Sequence, residues 1–85
     1  MEALTALPNI GPVLAENLRR AGIETPEQLR ALGSREALVR IRAQVDPGAC
    51  LHQLQALEGA VQGVKKSALS PACKEELKRF HNSLT

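Results

Sequence analysis

The chain has 85 residues, of which 44% are hydrophobic, and it carries a formal net charge of +2 at pH 7. A chain of this size buries roughly 60–65% of its unfolded surface, which suffices for one small core but not for an internal cleft of enzyme size. The hydrophobic residues are aliphatic, since the sequence contains one Phe and neither Trp nor Tyr. This composition excludes the aromatic stacking platform that single-strand nucleic-acid binders use.

The helix signals predict an all-α fold of five or six short helices. Three oxygen-bearing residues that can cap a helix N-terminus each precede a proline, in the pairs Thr25-Pro26, Asp46-Pro47 and Ser70-Pro71. Gln28 completes a capping box with Thr25, and Gly22 and Gly33 are typical stop residues. No segment alternates with the two-residue period of a strand. The predicted helices cover residues 2–7, 12–21, 26–32, 35–45, 47–63 and 71–83.

The turn Asn9-Ile10-Gly11 separates the first two predicted helices. Such a turn needs residues that tolerate a positive φ, which Gly adopts freely and Asn adopts at modest cost. A faint repeat follows, because Gly33 stands 22 residues after Gly11. The other aligned pairs are Leu7 and Leu29, Ile10 and Leu32, Ala15 and Ala37, and Ala21 and Ala43. We therefore expect two equivalent helix-hairpin-helix (SAM-like) units.

The last two predicted helices carry complementary apolar stripes and pack together. The first stripe consists of Cys50, Leu54, Leu57, Val61 and Val64, and the second of Leu69, Cys73, Leu77, Phe80 and Leu84. Beside the first stripe runs a set of small residues, which we name the helix-packing groove: Ala56, Gly59, Ala60 and Gly63. Glycine inside a helix costs about 1 kcal/mol relative to Ala. We expect a neighbouring helix backbone to pack here, with a partner protein or a second copy as the alternative occupant.

Cysteine content and hydropathy favour a cytoplasmic protein with no membrane partner. The sequence has two cysteines and no signal peptide, and no apolar run approaches the ~20 residues that span a membrane. Cys50 and Cys73 occupy apolar positions of predicted helices, so we expect two buried thiols. Residues 64–85 carry four Lys and one Arg against two Glu, and we interpret this basic helix as a solvated face.

A helix that begins at a tight turn exposes backbone N–H groups that can bind phosphate. In the first hairpin, Asn9 and Gly11 would offer such a contact to double-stranded DNA. However, Pro12 lacks an N–H group and the next turn contains no Lys or Arg. We therefore interpret the first hairpin as a structural turn.

The second hairpin is better equipped for a phosphate. Gly33, Ser34 and Arg35 combine backbone N–H groups, a hydroxyl and a guanidinium at one helix N-terminus. Three further cations could flank a phosphate track: Arg42, Lys65 and Lys66. The alternative is that Ser34 only caps its helix and Arg35 is solvated.

The spacing of His and Cys argues against an enzyme, a metal and a cofactor. His52 follows Cys50 by two residues, which places the two side chains about 200° apart on one helix. His81 follows Cys73 by eight residues, or about 12 Å along the axis. No nucleophile–base pair, phosphate-binding glycine loop with Lys, or acidic cluster is visible.

Several short runs carry a resemblance to a known family. They are Leu7-Pro8-Asn9-Ile10-Gly11, Ala21-Gly22-Ile23, Leu29-Arg30-Ala31-Leu32-Gly33, Cys50-Leu51, Ala56-Leu57-Glu58-Gly59-Ala60 with Gly63, and Lys74-Glu75-Glu76-Leu77-Lys78. On these runs the chain resembles the C-terminal domain of the TfoX family of bacterial competence regulators. The resemblance implies a small helical domain in proteins that promote expression of DNA-uptake genes, preceded in fuller members by an N-terminal domain.

We therefore expect residues 1–85 to form a stand-alone TfoX C-terminal-like domain. Its helix-hairpin-helix core would cover about residues 4–45, and its helical pair about residues 47–84. We expect a non-enzymatic regulatory or accessory role that is carried out by binding. The ligand would be duplex DNA, held non-specifically by hairpin amides, or a protein, either a regulator or a second copy.

Overall fold

The computed structural model describes residues 3–84, and all regular structure in this range is helical. The five α-helices are α1 (Pro12–Arg20), α2 (Pro26–Leu32), α3 (Ser34–Gln44), α4 (Leu51–Gln62) and α5 (Pro71–Ser83). Short 3₁₀ turns cover Leu4–Ala6 and Lys66–Ala68. The predicted all-α class is confirmed. No helix within the described range is both long and apolar enough to cross a membrane.

Two of the three predicted N-caps are confirmed. The Gln28 N–H donates to Thr25 Oγ1 at 3.1 Å, and the Cys73 N–H donates to Ser70 Oγ at 3.1 Å. The Gln28 side chain accepts in return from the Glu24 N–H at 2.6 Å, one residue before the cap. These bonds satisfy N–H groups that the first helical turn leaves unpaired, so α2 and α5 begin at their predicted prolines.

The predicted helix start at Asp46-Pro47 is wrong. Asp46 Oδ1 accepts from the Gly48 N–H at 2.9 Å, which closes a local turn instead of capping a helix. The Ala49 N–H also donates to the Asp46 carbonyl at 3.1 Å. As a result α4 begins at Leu51, and Cys50 is its N-cap residue.

The first predicted helix, over residues 2–7, is also wrong in type. Only Leu4–Ala6 form a 3₁₀ turn, and residue 2 lies outside the described residues. Leu7 is extended, with φ −77° and ψ 148°, the conformation that a following proline favours.

The core is aliphatic and joins the two predicted parts of the chain. α3 packs against α1, α2 and α4, and α4 packs against α5. The largest fully buried apolar side chains are Leu18, Ile23, Leu29, Leu38, Ile41, Leu54, Leu57 and Leu77. The predicted packing of the last two helices is therefore confirmed, and α3 connects that pair to the N-terminal helices.

The expected burial of both thiols is wrong. Cys50 is exposed and Cys73 is half-buried. Because α4 begins only at Leu51, Cys50 sits before the helix and outside the apolar stripe that Leu54 and Leu57 continue into the core.

Candidate functional site

Asn9 was predicted to contact nucleic acid, but its side-chain amide forms hydrogen bonds to backbone groups of this protein. Its backbone has a positive φ of 69°, as the turn chemistry predicted. Its Nδ2 donates to the Val64 carbonyl at 3.0 Å and to the Ala56 carbonyl at 3.4 Å. Its Oδ1 accepts from the Lys66 N–H at 3.0 Å. The Asn9 side chain therefore ties the first hairpin to the end of α4.

Gly11 opens one side of an apolar groove at the start of α1. It is the exposed N-cap residue of α1 and is extended, with φ −89° and ψ −179°. The groove, named here the α1 groove, has a volume of about 330 Å³ and is lined by Gly11, Pro12, Val13, Leu14, Asn17 and Gln53. Val13 is 76% exposed. The Gln53 Oε1 is buried and has no hydrogen-bond partner among the described residues.

The two predicted hairpins are not equivalent, which corrects the expectation drawn from the repeat. Gly33 alone connects α2 to α3, and its N–H donates to the Leu29 carbonyl at 2.8 Å. Its φ of 84° and ψ of 163° lie in a region that is essentially reserved for glycine. Gly11 has an ordinary negative φ, and five residues (7–11) connect the first 3₁₀ turn to α1.

A carboxylate of the protein occupies the N-terminus of α3, where a phosphate was expected. Ser34 is 2% exposed, and its hydroxyl donates to Glu58 Oε1 at 2.5 Å. The Gln62 Nε2 donates to the other oxygen, Oε2, at 2.6 Å. The N-cap residue of α3 is Gly33, and the Ser34 hydroxyl donates to Glu58, so the alternative prediction that Ser34 caps this helix is wrong. The negative charge of Glu58 complements the helix dipole and opposes a second anion at this point.

Arg35 connects α3 to α5 and is not simply solvated. Its guanidinium lies 5.8 Å from the centroid of the Phe80 ring and 3.8 Å from Glu76 Oε2. A cation over an aromatic face is attracted by the ring quadrupole, even where the side chain is, as here, 48% exposed. The second groove, named the α3 groove, has a volume of about 490 Å³ and is lined by Leu32, Gly33, Ser34, Arg35, Glu36, Val39, Glu58 and Phe80.

The remaining predicted cations divide into two kinds. Arg42 Nη1 donates to the Ala49 carbonyl at 3.1 Å and so holds the connection between α3 and α4. Lys65 and Lys66 are exposed, and their side chains form no ion pair or hydrogen bond within residues 3–84. Nucleic-acid binding by the predicted residues stays a prediction, because no ligand contact is described for any of them.

The helix-packing groove receives a side chain and a loop instead of the expected helix. Ala56, Gly59 and Ala60 are buried, whereas Gly63 is exposed and ends α4 with a φ of 79°. A Cβ on Gly59 would overlap the Asn9 Nδ2 and lie 2.7 Å from the Val64 carbonyl oxygen. Close backbone approach is confirmed, but the neighbour was wrongly predicted, and a partner helix has no room at Gly59.

Sequence reasoning missed Glu58 and Gln53. The only sequence feature that includes Glu58 is the run Ala56-Leu57-Glu58-Gly59-Ala60, which carries the family resemblance. No sequence pattern indicates a role for Gln53. Among residues 3–84, no three His, Cys, Asp or Glu side chains converge as a metal site requires.

Comparison with known proteins identifies the family. The family described as TfoX C-terminal domain matches residues 1–81. The chain belongs to this TfoX C-terminal domain family. The domain is 36% identical over 84 residues to Protein Sxy of Escherichia coli (strain K12), a match that covers 99% of this chain and 40% of that protein. This TfoX C-terminal domain thus spans less than half of the curated relative.

Two crystal structures from Listeria monocytogenes share the fold of this TfoX C-terminal domain. The triclinic form of an uncharacterized protein has a TM-score of 0.95 and 51% sequence identity, covering 98% of this chain and 93% of that chain. The tetragonal form of a protein of unknown function has a TM-score of 0.93 and 51% identity, covering 96% and 99%.

Proposed function

We propose that this TfoX C-terminal domain is a non-enzymatic accessory domain that binds a partner protein in the α1 groove. The observation that carries the proposal is the exposure of Val13, which is 76% accessible at the start of a helix and lines an apolar groove. Within the described residues, the exposed large hydrophobic side chains are Val13 and Val39, and Val39 is only 37% exposed. An apolar groove with an exposed aliphatic side chain in its lining can receive an apolar side chain of a partner.

The lining of the α1 groove complements a peptide segment. Pro12, Val13 and Leu14 offer apolar walls to an aliphatic side chain. The first N–H groups of α1 have no partner within the helix, so they can donate to a peptide carbonyl. The Gln53 Oε1, which accepts no bond within residues 3–84, can accept from a peptide N–H. A protein segment supplies all three of these groups, whereas a phosphate supplies only the acceptor.

Phosphate binding at the hairpin amides has weaker support. The α1 groove lining contains no Lys or Arg. The α3 groove contains Arg35, but this guanidinium already faces Phe80 and Glu76, and the carboxylates of Glu36 and Glu58 line the same groove. The domain would therefore contribute a protein contact to a regulator of the TfoX type.

Site-specific photo-crosslinking tests this proposal. A photoreactive amino acid replaces Val13 in one variant and Glu27, an exposed residue of α2, in the control. We expect a single discrete adduct from position 13 in the cells that make the protein, and none from position 27. An adduct of equal yield from both positions would contradict the proposal.

The affinity for the purified partner that the crosslinking identifies tests the proposal quantitatively. Val13→Asp should weaken the affinity at least tenfold, equivalent to about 1.4 kcal/mol, because it places a charge against an apolar contact. The matched substitution Val39→Asp in the α3 groove should leave the affinity unchanged. Both variants are first checked for an unchanged Tm. Equal loss in the two variants would show that the α1 groove is not the docking site.

A further inference from the structure

The Lys and Arg side chains of this domain fall into two groups: some form an ion pair or a hydrogen bond within the domain, and others form neither. Arg19 pairs with Glu16, Arg40 with Glu36 at 3.4 Å and Arg35 with Glu76 at 3.8 Å. Arg42 bonds to a backbone carbonyl, and Arg30 also has an interaction partner. Within residues 3–84, the cations whose side chains form neither an ion pair nor a hydrogen bond are Arg20, Lys65, Lys66, Lys74, Lys78 and Arg79. Five of these six lie in one segment, residues 65–79, which we name the basic segment.

On α5 the lysines and the paired acid occupy opposite flanks. Lys74 and Lys78 are four positions apart and therefore lie one above the other on the same face. At about 100° per residue, Glu76 lies about 180° from the midpoint of these two lysines. Glu76 faces Arg35, and Leu77 is fully buried. The lysine flank thus points away from the contact with α3. Glu75 is four positions before Arg79 and three before Lys78, so helix spacing places its carboxylate near both of these cations.

Asn9 holds the other two lysines on a fixed backbone. The Val64 carbonyl accepts from Asn9 Nδ2, and the Lys66 N–H donates to Asn9 Oδ1. A 3₁₀ turn follows at Lys66–Ala68. Because the backbone around Lys65 and Lys66 is pinned from both sides, a ligand would order only the side chains, which lowers the entropic cost of binding.

We infer that the basic segment contacts the phosphate backbone of duplex DNA without reading its sequence. Lys65, Lys66 and Lys78 are exposed and Lys74 is half-buried. Lysines without a partner in the protein release counterions when they neutralise phosphates, which drives non-specific binding. The longest dimension of the domain is 33 Å, close to one helical turn of duplex of about 34 Å, so a single turn of duplex is as long as the whole domain. A duplex is favoured over a single strand because Phe80, the one aromatic residue of the sequence, lies beneath Arg35 and offers no stacking surface.

This inference is independent of protein docking in the α1 groove, because it uses none of the residues that line that groove. A domain with both surfaces would hold a partner protein close to DNA.

Fluorescence anisotropy with a labelled 20-base-pair duplex tests the inference. Five neutralised phosphates predict a slope of log K against log salt of about −4.5, which is about a 500-fold loss of affinity between 50 and 200 mM salt. The double variants Lys65→Ala/Lys66→Ala and Lys74→Ala/Lys78→Ala should each reduce the steepness of the slope by about 2. Val13→Asp should bind the duplex as the unmodified protein does.

A charge-matched control separates this surface from the effect of net charge. Arg19→Ala/Arg40→Ala removes the same two positive charges from cations that already have carboxylate partners, so the slope should stay unchanged. An equal reduction in this control would overturn the inference. So would tighter binding of a single strand of the same sequence, or equal competition by poly-glutamate, which would assign the segment to an acidic protein.

Discussion

The side chain of Asn9 occupies the space that a Cβ on Gly59 would need. Because Gly59 lacks a side chain, the amide of Asn9 reaches over α4 to the carbonyls of Ala56 and Val64. Two unfavourable local choices, a glycine inside a helix and an asparagine with a φ of 69°, are thus offset by one set of hydrogen bonds. This relationship fixes the first hairpin against the end of α4.

Replacing Gly59 with Ala should destabilise the fold by about 1–3 kcal/mol or more, in spite of the higher helix propensity of Ala. The added Cβ would meet the Asn9 Nδ2 and the Val64 carbonyl oxygen, and the latter is backbone that cannot move freely. Urea denaturation measures the loss. The control Gly48→Ala should be nearly neutral, since its Cβ meets only the Asp46 carboxylate at 3.4 Å. Equal stability of the two variants would mean that Asn9 and the 64–66 loop yield to the methyl group.

Replacing Asn9 with Ala should cost about 2–4 kcal/mol, the sum of the lost hydrogen bonds to the backbone of Ala56, Val64 and Lys66 and of an unfavourable left-handed Ala. Asn9→Gly removes the same hydrogen bonds, but Gly adopts the positive φ of this position without the cost that Ala has. It should therefore be more stable than Asn9→Ala by about 1 kcal/mol. Thermal unfolding followed by circular dichroism compares the two, and identical Tm values would refute the backbone contribution.

The two corner glycines should respond differently to the same substitution. Gly33→Ala should lose about 1–3 kcal/mol, because φ 84° with ψ 163° is strained for any residue with a Cβ. Gly11→Ala should be neutral or slightly stabilising, since its φ is −89° and nothing lies within 4 Å of the new Cβ. Chemical denaturation of both variants tests the difference. Equal losses of stability in Gly33→Ala and Gly11→Ala would contradict the difference in backbone conformation between the two turns.

The hydrogen bond between Ser34 and Glu58 should couple α3 to α4 energetically. Ser34→Ala should cost about 1–2 kcal/mol, because the hydroxyl is buried and donates to a charged acceptor at 2.5 Å. A double-mutant cycle with Glu58→Ala should give a coupling energy above about 0.5 kcal/mol. Additive losses in the cycle would show that the two side chains do not depend on each other.

Ser70 and Asp46 both precede a proline, but replacing them with Ala should affect the following helices differently. Ser70→Ala removes the cap of α5 and should cost about 1 kcal/mol. Asp46→Ala removes only the bond to the Gly48 N–H in a connection, and α4 should keep its start at Leu51. Amide hydrogen exchange of the first α4 turn measures this directly. Faster exchange there after Asp46→Ala would favour a capping role for Asp46.

Helix starts could be predicted from the sequence where the capping residue had no alternative local hydrogen bond. Thr25 and Ser70 each accept from one N–H group at the helix start, and the starts of α2 and α5 were predicted correctly from these caps. Asp46 had two local options, a cap or a bond two residues ahead, and the pattern of residue types could not choose between them.

The candidate site followed only in part from sequence. The positive φ of Asn9 and the need for space at Gly59 were both expected from residue type. Their meeting across 50 residues was not, because sequence spacing carries no information on which side chain fills a glycine gap. Likewise the residue types around Ser34 predict a phosphate contact or a helix cap, and neither pattern indicates Glu58 as the acceptor of its hydroxyl.

The sequence by itself determined the helical class, most helix boundaries and the aliphatic core, because capping, proline geometry and the 3.6-residue period act within a few residues. The tertiary structure alone decided which polar and charged groups stay available for a ligand. Partners such as Glu58 for Ser34, and Glu76 for Arg35, come from helices distant in sequence. Whether a cation or an amide is free depends on what packs beside it in space.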